Sequence, residues 1–209
     1  MTHPLLDWCT SYGTQLLAPA QRTRFAIDAV AVIDPLYSLP LFGAILLAAR
    51  KKTDRRFSRR FSALALAVTT AYLALGYAES QRAIGMAQRQ LARDGFAPVA
   101  LRAMPTMFNN QVFRIVARDA EGTLRIGHVS MVNPEPIAFV QLEQPDAPLA
   151  RRALASERGE LFRWFAGDMV HARVEHGDDG PSVLLSDQRY GLVTRPTRSF
   201  FASFRSANR

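Results

Sequence analysis

Between two apolar stretches lies the run RKKTDRRFSRR (Arg50–Arg60), whose seven basic residues and one acid give +6 of a formal total of +8 in 209 residues. Charge concentrated in this way is a local device, not the mark of a basic protein. Beyond it, Phe61–Ala78 reads FSALALAVTTAYLALGYA without a single charged residue. Its eighteen residues reach the lower end of the ~17–25 needed for a spanning helix. The competing reading is a buried core helix. Before the basic run, Ala29–Ala49 (AVAVIDPLYSLPLFGAILLAA) is also apolar enough to span, but it contains Asp34, Pro35 and Pro40. Pro35 disfavours helical geometry at Asp34 and suits the first helical position, so Asp34-Pro35 reads as an N-cap followed by N1. A helix from Pro35 to Ala49 covers ~22 Å, short of a ~30 Å hydrocarbon core. Either it continues, kinked, through Asp34, or Asp34 sits at its membrane-surface end. The second reading is favoured.

A basic link between apolar helices belongs in the cytoplasm by the positive-inside rule. Both outer ends of the hairpin, with everything after Ala78, then face the periplasm. The expected setting is a bacterial inner membrane, crossed more than once, with the lipid bilayer as a partner. Nucleic acid is not an expected partner, because Arg50–Arg60 has no stacking aromatic beyond Phe57. The start, MTHPLLDWCT, lacks the basic and apolar regions of a signal peptide. The single cysteine, Cys9, excludes an intrachain disulfide and a Cys/His zinc framework.

The expected fold class is α+β, a two-helix transmembrane hairpin followed by an extramembrane domain with a mainly antiparallel sheet and one or two helices. The segments are 1–24 (a membrane-proximal motif), 25–78 (the hairpin with its basic loop 50–60), 79–98 (a juxtamembrane helix) and 99–209 (the α+β domain). Glu79–Gly95 has helix-forming composition and a glycine suited to end it. Pro98 and Pro105 break the pattern. Strands are expected over Gln111–Arg118, Thr123–Met131 and Ile137–Glu143, the first two joined by the turn DAEG. A helix over Leu149–Phe165 precedes strands over Asp168–His176, Ser182–Asp187 and Ser199–Phe204, with GDDGP as a turn. His128, His171 and His176 fall on strands. His171 and His176 point to opposite faces of a regular strand and form no metal pattern.

The densest polar cluster in an apolar setting is His3, Asp7, Thr10, Tyr12, Thr14 and Gln15. On a helix, His3 and Asp7 are i and i+4 and share a face. Imidazole with carboxylate is half a shell for zinc, manganese or iron, though such a pair is also an ordinary solvated contact. Two ligands cannot complete a site, so others must come from elsewhere, Asp28 and Asp34 being candidates.

Thr2–Pro19 (THPLLDWCTSYGTQLLAP) and Arg24–Leu41 (RFAIDAVAVIDPLYSLPL) together resemble the bacterial inner-membrane metal-dependent hydrolases, also described as LexA-regulated and inner-membrane-associated. Pro105–Asn110 (PTMFNN) and Leu185–Gly191 (LSDQRYG) resemble the C-terminal domain of that family. The resemblance implies a polytopic membrane protein with a divalent metal ion, zinc or manganese. It implies His3 and Asp7 as metal ligands and Asp34, in the I-D-P element, as a catalytic residue. The substrate, an unidentified small molecule or lipid, would meet Tyr12 and Gln15. Alternatively, Tyr12, Gly13 and Gln15 form the tight turn that returns the chain to the membrane. Members of the family carry further membrane helices and an H-R-G-x-[ST]-H-S element before this motif. The expectation is therefore a chain corresponding to the C-terminal part of such a protein, lacking part of the metal site. Against a hydrolase stands a non-catalytic, membrane-anchored binding module with a periplasmic α+β domain.

Overall fold

The structure is a computed structural model that describes residues 3–50, 54–177, 180–191 and 203–207. It divides into two compact units, each discontinuous in sequence. The first comprises Met1–Ala83, Ala103–Phe113 and Ser130–Asn133; the second comprises Ile84–Arg102, Arg114–Val129 and Pro134–Arg209.

The first unit opens with the short helix α1 (His3–Cys9). The following chain turns back on itself, with Thr10 bridging Val30 and Thr14 bridging Phe25. Gly13 has φ +70°, and a Cβ there would lie 2.7 Å from the Phe25 carbonyl oxygen, so the close approach requires glycine. Helix α2 runs over Pro35–Ala49 with Asp34 as N-cap and Pro35 at its start, as the local chemistry dictates. Helix α3 (Arg55–Arg93) has 39 residues in one piece. It takes in the uncharged run, the polar stretch after it and the last six residues of the basic link. Residues 51–53 of that link lie outside the described residues.

Two contacts show α2 and α3 to be antiparallel. A Cβ at Gly43 would meet the Phe61 ring at 3.9 Å, and Tyr72 bonds to Asp34. Leu36, Leu39, Phe42 and Ile45 of α2 and Leu64, Leu66 and Val68 of α3 are between 51% and 64% exposed. These side chains leave an exposed apolar surface along both helices. Of the two helices in the expected hairpin, α3 is long and apolar enough to cross a membrane. Helix α2 is apolar but has only 15 residues.

In the second unit, α3 ends in a Schellman motif. Phe96 N–H donates to the Leu91 carbonyl (2.9 Å) and Gly95 N–H to that of Ala92 (3.3 Å), with Gly95 at φ +70°. Leu91 and Phe96 then pack with Ala117 in a small core. Four strands follow, β1 (Ala100–Pro105), β2 (Val112–Arg118), β3 (Leu124–Ser130) and β4 (Val140–Leu142), ordered β1-β2-β3-β4, of which Ala103–Pro105, Val112–Phe113 and Ser130 are counted in the first unit. The β2–β3 turn is closed by Asp119, whose carboxylate accepts from Thr123 N–H at 2.7 Å.

Four expectations need correcting. Strand β1 occupies a stretch read as a break, because Pro105 lies at the end of an edge strand, where proline is tolerated. Strand β4 is shorter than Ile137–Glu143, because the Gln90 side chain takes both backbone groups of Ile137 at 2.7 and 2.8 Å. The helix expected over Leu149–Phe165 is two, α4 (Pro148–Ala155) and α5 (Glu157–Phe165). Ser156 divides them, donating to the Ala153 carbonyl at 2.7 Å and accepting from Gly159 N–H at 3.1 Å. Finally, the strands form two sheets and not one. The second holds β5 (Val170–Gly177), β6 (Gly180–Asp187) and β7 (Ser203–Ala207), all antiparallel. Ala150 and Ala153 of α4 pack with Val170, Ala172, Val183 and Leu185 to make its core. Residues 178–179 of the expected GDDGP turn, and 199–202 of the expected last strand, lie outside the described residues.

Candidate functional site

Helix α1 brings His3 and Asp7 together, with His3 Nε2 at 3.5 Å from Asp7 Oδ2 and the side chains 86% and 41% exposed. Thr10 closes the helix by donating its hydroxyl and its N–H to the Asp7 carbonyl, at 2.8 and 3.1 Å. A catalytic zinc takes three protein ligands and keeps one position open. Among the described residues, no group of three or more His, Cys, Asp and Glu side chains is placed to hold an ion. His3 and Asp7 supply two donors, so the described residues do not by themselves fit a resident metal.

Asp34 is elsewhere engaged. The residue is 4% exposed; Oδ1 accepts from the N–H groups of Leu36 (2.9 Å) and Tyr37 (3.3 Å), and Oδ2 accepts from the Tyr72 hydroxyl at 2.7 Å. A carboxylate among apolar helices is costly unless its oxygens are satisfied. Three donors and the positive end of the α2 dipole satisfy this one. Tyr72 is the partner that sequence reasoning missed. A hydroxyl inside an uncharged run needs an acceptor, but nothing local names a residue 38 positions away.

Tyr12 is exposed, with the Arg24 guanidinium 5.5 Å from its ring centre. Arg24 also donates to the Gly13 carbonyl at 3.3 Å. Gln15 lies in the same return, its carbonyl accepting from Ala18 N–H at 3.3 Å.

The motif Leu185–Gly191 builds a different polar centre in the second unit. Asp187, Gln188 and Arg189 are all buried. Arg189 holds Asp187 through Nε (3.1 Å) and Nη2 (2.7 Å), and its own backbone N–H donates to Oδ1 at 3.0 Å. Arg114 of β2 is buried too, and its Nε donates to the Gln188 carbonyl at 2.9 Å. Burial lowers the Arg114 pKa to about 10, opposed by the charge of Asp187. His128 of β3 is pushed down to about 4, first by burial and then by the charge of Arg114. Burial also lowers the pKa of His171, opposed by a bond from its ring to the Glu143 carbonyl. Arg114, Asp187 and Arg189 bind charge to backbone within the fold. The arrangement is that of a structural network.

Residues 1–83 match the family model of the YdjM inner membrane protein. That match spans α1, the return to Val30, all of α2 and most of α3, and it supports an inner-membrane protein. No curated protein and no solved structure matches the chain.

Proposed function

We propose that this chain is an inner-membrane protein that acts as an anchored, non-catalytic binding module. Helix α3 crosses the bilayer, α2 lies beside it in the hydrocarbon, and the sheet-rich second unit stands in the periplasm. The observation that carries the reading is the exposed apolar surface of Leu36, Leu39, Phe42 and Ile45 with Leu64, Leu66 and Val68, which lipid would cover. The basic link supports a cytoplasmic turn between α2 and α3. The test is cysteine labelling of intact cells by a membrane-impermeant reagent, with Cys9→Ser as background. Asp146→Cys, at a side chain 89% exposed, should be labelled from outside and Arg55→Cys should not. Labelling of Arg55→Cys from outside overturns the topology. Release of the protein from membranes by alkaline carbonate overturns the anchor.

A second reading, a metal-dependent hydrolase, is favoured by one observation, the His3–Asp7 pair on a single helix face. A divalent ion there would polarise a substrate oxygen and activate water. His3 and Asp7 would be two of its ligands, with the rest supplied from outside the described residues, and Tyr12 and Gln15 would meet a small-molecule or lipid substrate. Asp34 would enter the chemistry through the one acceptor position it keeps, or by giving up Tyr72 or its place at the head of α2. Metal content of the purified protein discriminates the readings. Stoichiometric zinc or manganese, lost in His3→Ala and Asp7→Ala, would favour the hydrolase over the module.

A further inference from the structure

The stretch Pro105–Asn110 (PTMFNN) is conspicuous in sequence, and after Pro105, the buried last residue of β1, neither the sheet core nor the metal chemistry uses Thr106–Asn109. In the first unit it forms a loop whose tip, Met107 and Phe108, is exposed, with Phe108 held at φ +70°. An exposed apolar tip in a strained backbone conformation calls for a reason. Two independent observations give one.

The first is position. Phe108 N–H donates to the Ile33 carbonyl at 3.2 Å, which ties the loop to the chain one residue before the N-cap of α2. Val32 and Ile33 are exposed, as are Leu36 and Leu39 beyond the cap, and Val132 lies next to Met131, whose N–H donates to the Gln111 carbonyl at 2.7 Å. Val32, Ile33, Met107 and Phe108, between 41% and 56% exposed, therefore set apolar surface beside the N-terminus of α2. Helix α2 accounts for ~22 Å of a ~30 Å hydrocarbon core, leaving ~8 Å uncovered. The loop stands at the end where that gap opens.

The second is the loop's internal bonding. Asn109 Oδ1 accepts from the N–H groups of Gln111 and Val112, both at 2.9 Å, and its Nδ2 donates to Thr106 Oγ1 (3.0 Å) and the Met107 carbonyl (3.3 Å). Thr106 N–H donates to the Val112 carbonyl at 2.9 Å. One asparagine thus turns the loop's polar groups inward while two large apolar side chains face out. Water would serve those polar groups at no cost, whereas the edge of a bilayer would not.

We infer that the Met107–Phe108 tip, with Val32 and Ile33, inserts into the acyl-chain and headgroup boundary of the bilayer as a second membrane contact beside the spanning helix. The inference rests on the reading of the chain as a bilayer protein, and it assigns PTMFNN a lipid-contacting role independent of any metal. A loop so anchored holds the Asp34 end of α2 at a fixed depth.

The test uses the full chain with Cys9→Ser, reconstituted in phosphatidylethanolamine and phosphatidylglycerol vesicles. An environment-sensitive fluorophore is attached at Met107→Cys, at Phe108→Cys or, as the span control, at Leu66→Cys. A probe about 5–10 Å into the boundary should lose roughly half its emission to lipids spin-labelled near the headgroup end of the chain, and less to lipids labelled at the chain terminus. Both loop positions should behave in this way, and Phe108→Asp should abolish quenching at 107 while leaving it at 66. Quenching at 66 with none at 107 and 108 overturns the inference and leaves the anchor standing, including the case in which protein shields the tip. Loss of quenching at 66 removes the bilayer reading and the inference with it.

Discussion

Replacing Tyr72 with Phe deletes one hydroxyl and leaves the ring. The structure assigns that hydroxyl a 2.7 Å bond to Oδ2 of Asp34, a residue that is 4% exposed. A hydrogen bond to a charged group contributes ~1.5–3 kcal/mol, while hydrogen bonds between helices in a membrane average ~0.6 with a maximum of ~1.7. The ranges meet near ~1.5 kcal/mol, the value expected for Tyr72→Phe. Asp34→Ala removes the same bond and the cap on Leu36 and Tyr37, for a further ~0.5–2 kcal/mol. The double variant should cost no more than Asp34→Ala, because the bond can be lost only once, so the coupling energy equals the Tyr72→Phe cost. Denaturant unfolding of the full chain in micelles gives these values. Amide exchange at Leu36 and Tyr37 gives a local check. Asp34→Ala should accelerate it about tenfold for each ~1.4 kcal/mol of cap lost, whereas Asp34→Asn, an equally good capping residue, should not. A Tyr72→Phe variant as stable as the parent, with zero coupling to Asp34, would refute the clamp between α2 and α3.

Gly76→Ala should destabilise the first unit by ~1–3 kcal/mol, read as a lower midpoint in thermal unfolding, because its Cβ would fall on the Ala29 carbonyl oxygen. Asp187→Ala removes the carboxylate paired with the Arg189 guanidinium in a site where that side chain is 2% exposed. It should cost ~3–5 kcal/mol, and a midpoint unchanged in denaturant would sink the network reading. His128 titrates near 4 when folded against 6.5 when free, so the unfolded chain binds the extra proton between those values. Stability should therefore be full above about 6.5 and decline as pH falls towards about 4. His128→Gln should flatten that part of the profile, leaving the smaller contribution of the same sign from His171.

Features whose cause is local could be read from the sequence. Asp34-Pro35 sets the start of α2 because a capping carboxylate and a proline at N1 act on adjacent residues. Gly95 ends α3 because only glycine enters the left-handed turn without cost, and DAEG makes a hairpin because Asp119 bonds its own turn. What escaped was decided by partners distant in sequence. Gln90 shortens β4 through bonds to Ile137, 47 positions on. The division of the helix at Ser156 lay between these extremes. A serine followed by Glu157 and Glu160 is a helix-start signal, hidden by the unbroken helix-forming composition around it.

The candidate site divides in the same way. His3 and Asp7 share a face because helical spacing alone brings them there, and that much was legible. Asp34 was legible as a cap but not as the acceptor of a second helix. An ionised carboxylate offers about four acceptor positions on its two oxygens, and Leu36, Tyr37 and Tyr72 occupy three of them. A base must present a free lone pair to water, and a metal ligand must present one to the ion. Asp34 can do either only through the position that remains, or by releasing a bond that holds α2 at its head or ties it to α3. Three of its acceptor positions thus join the head of α2 to α3, and any chemistry at Asp34 has to use the fourth or break one of those bonds.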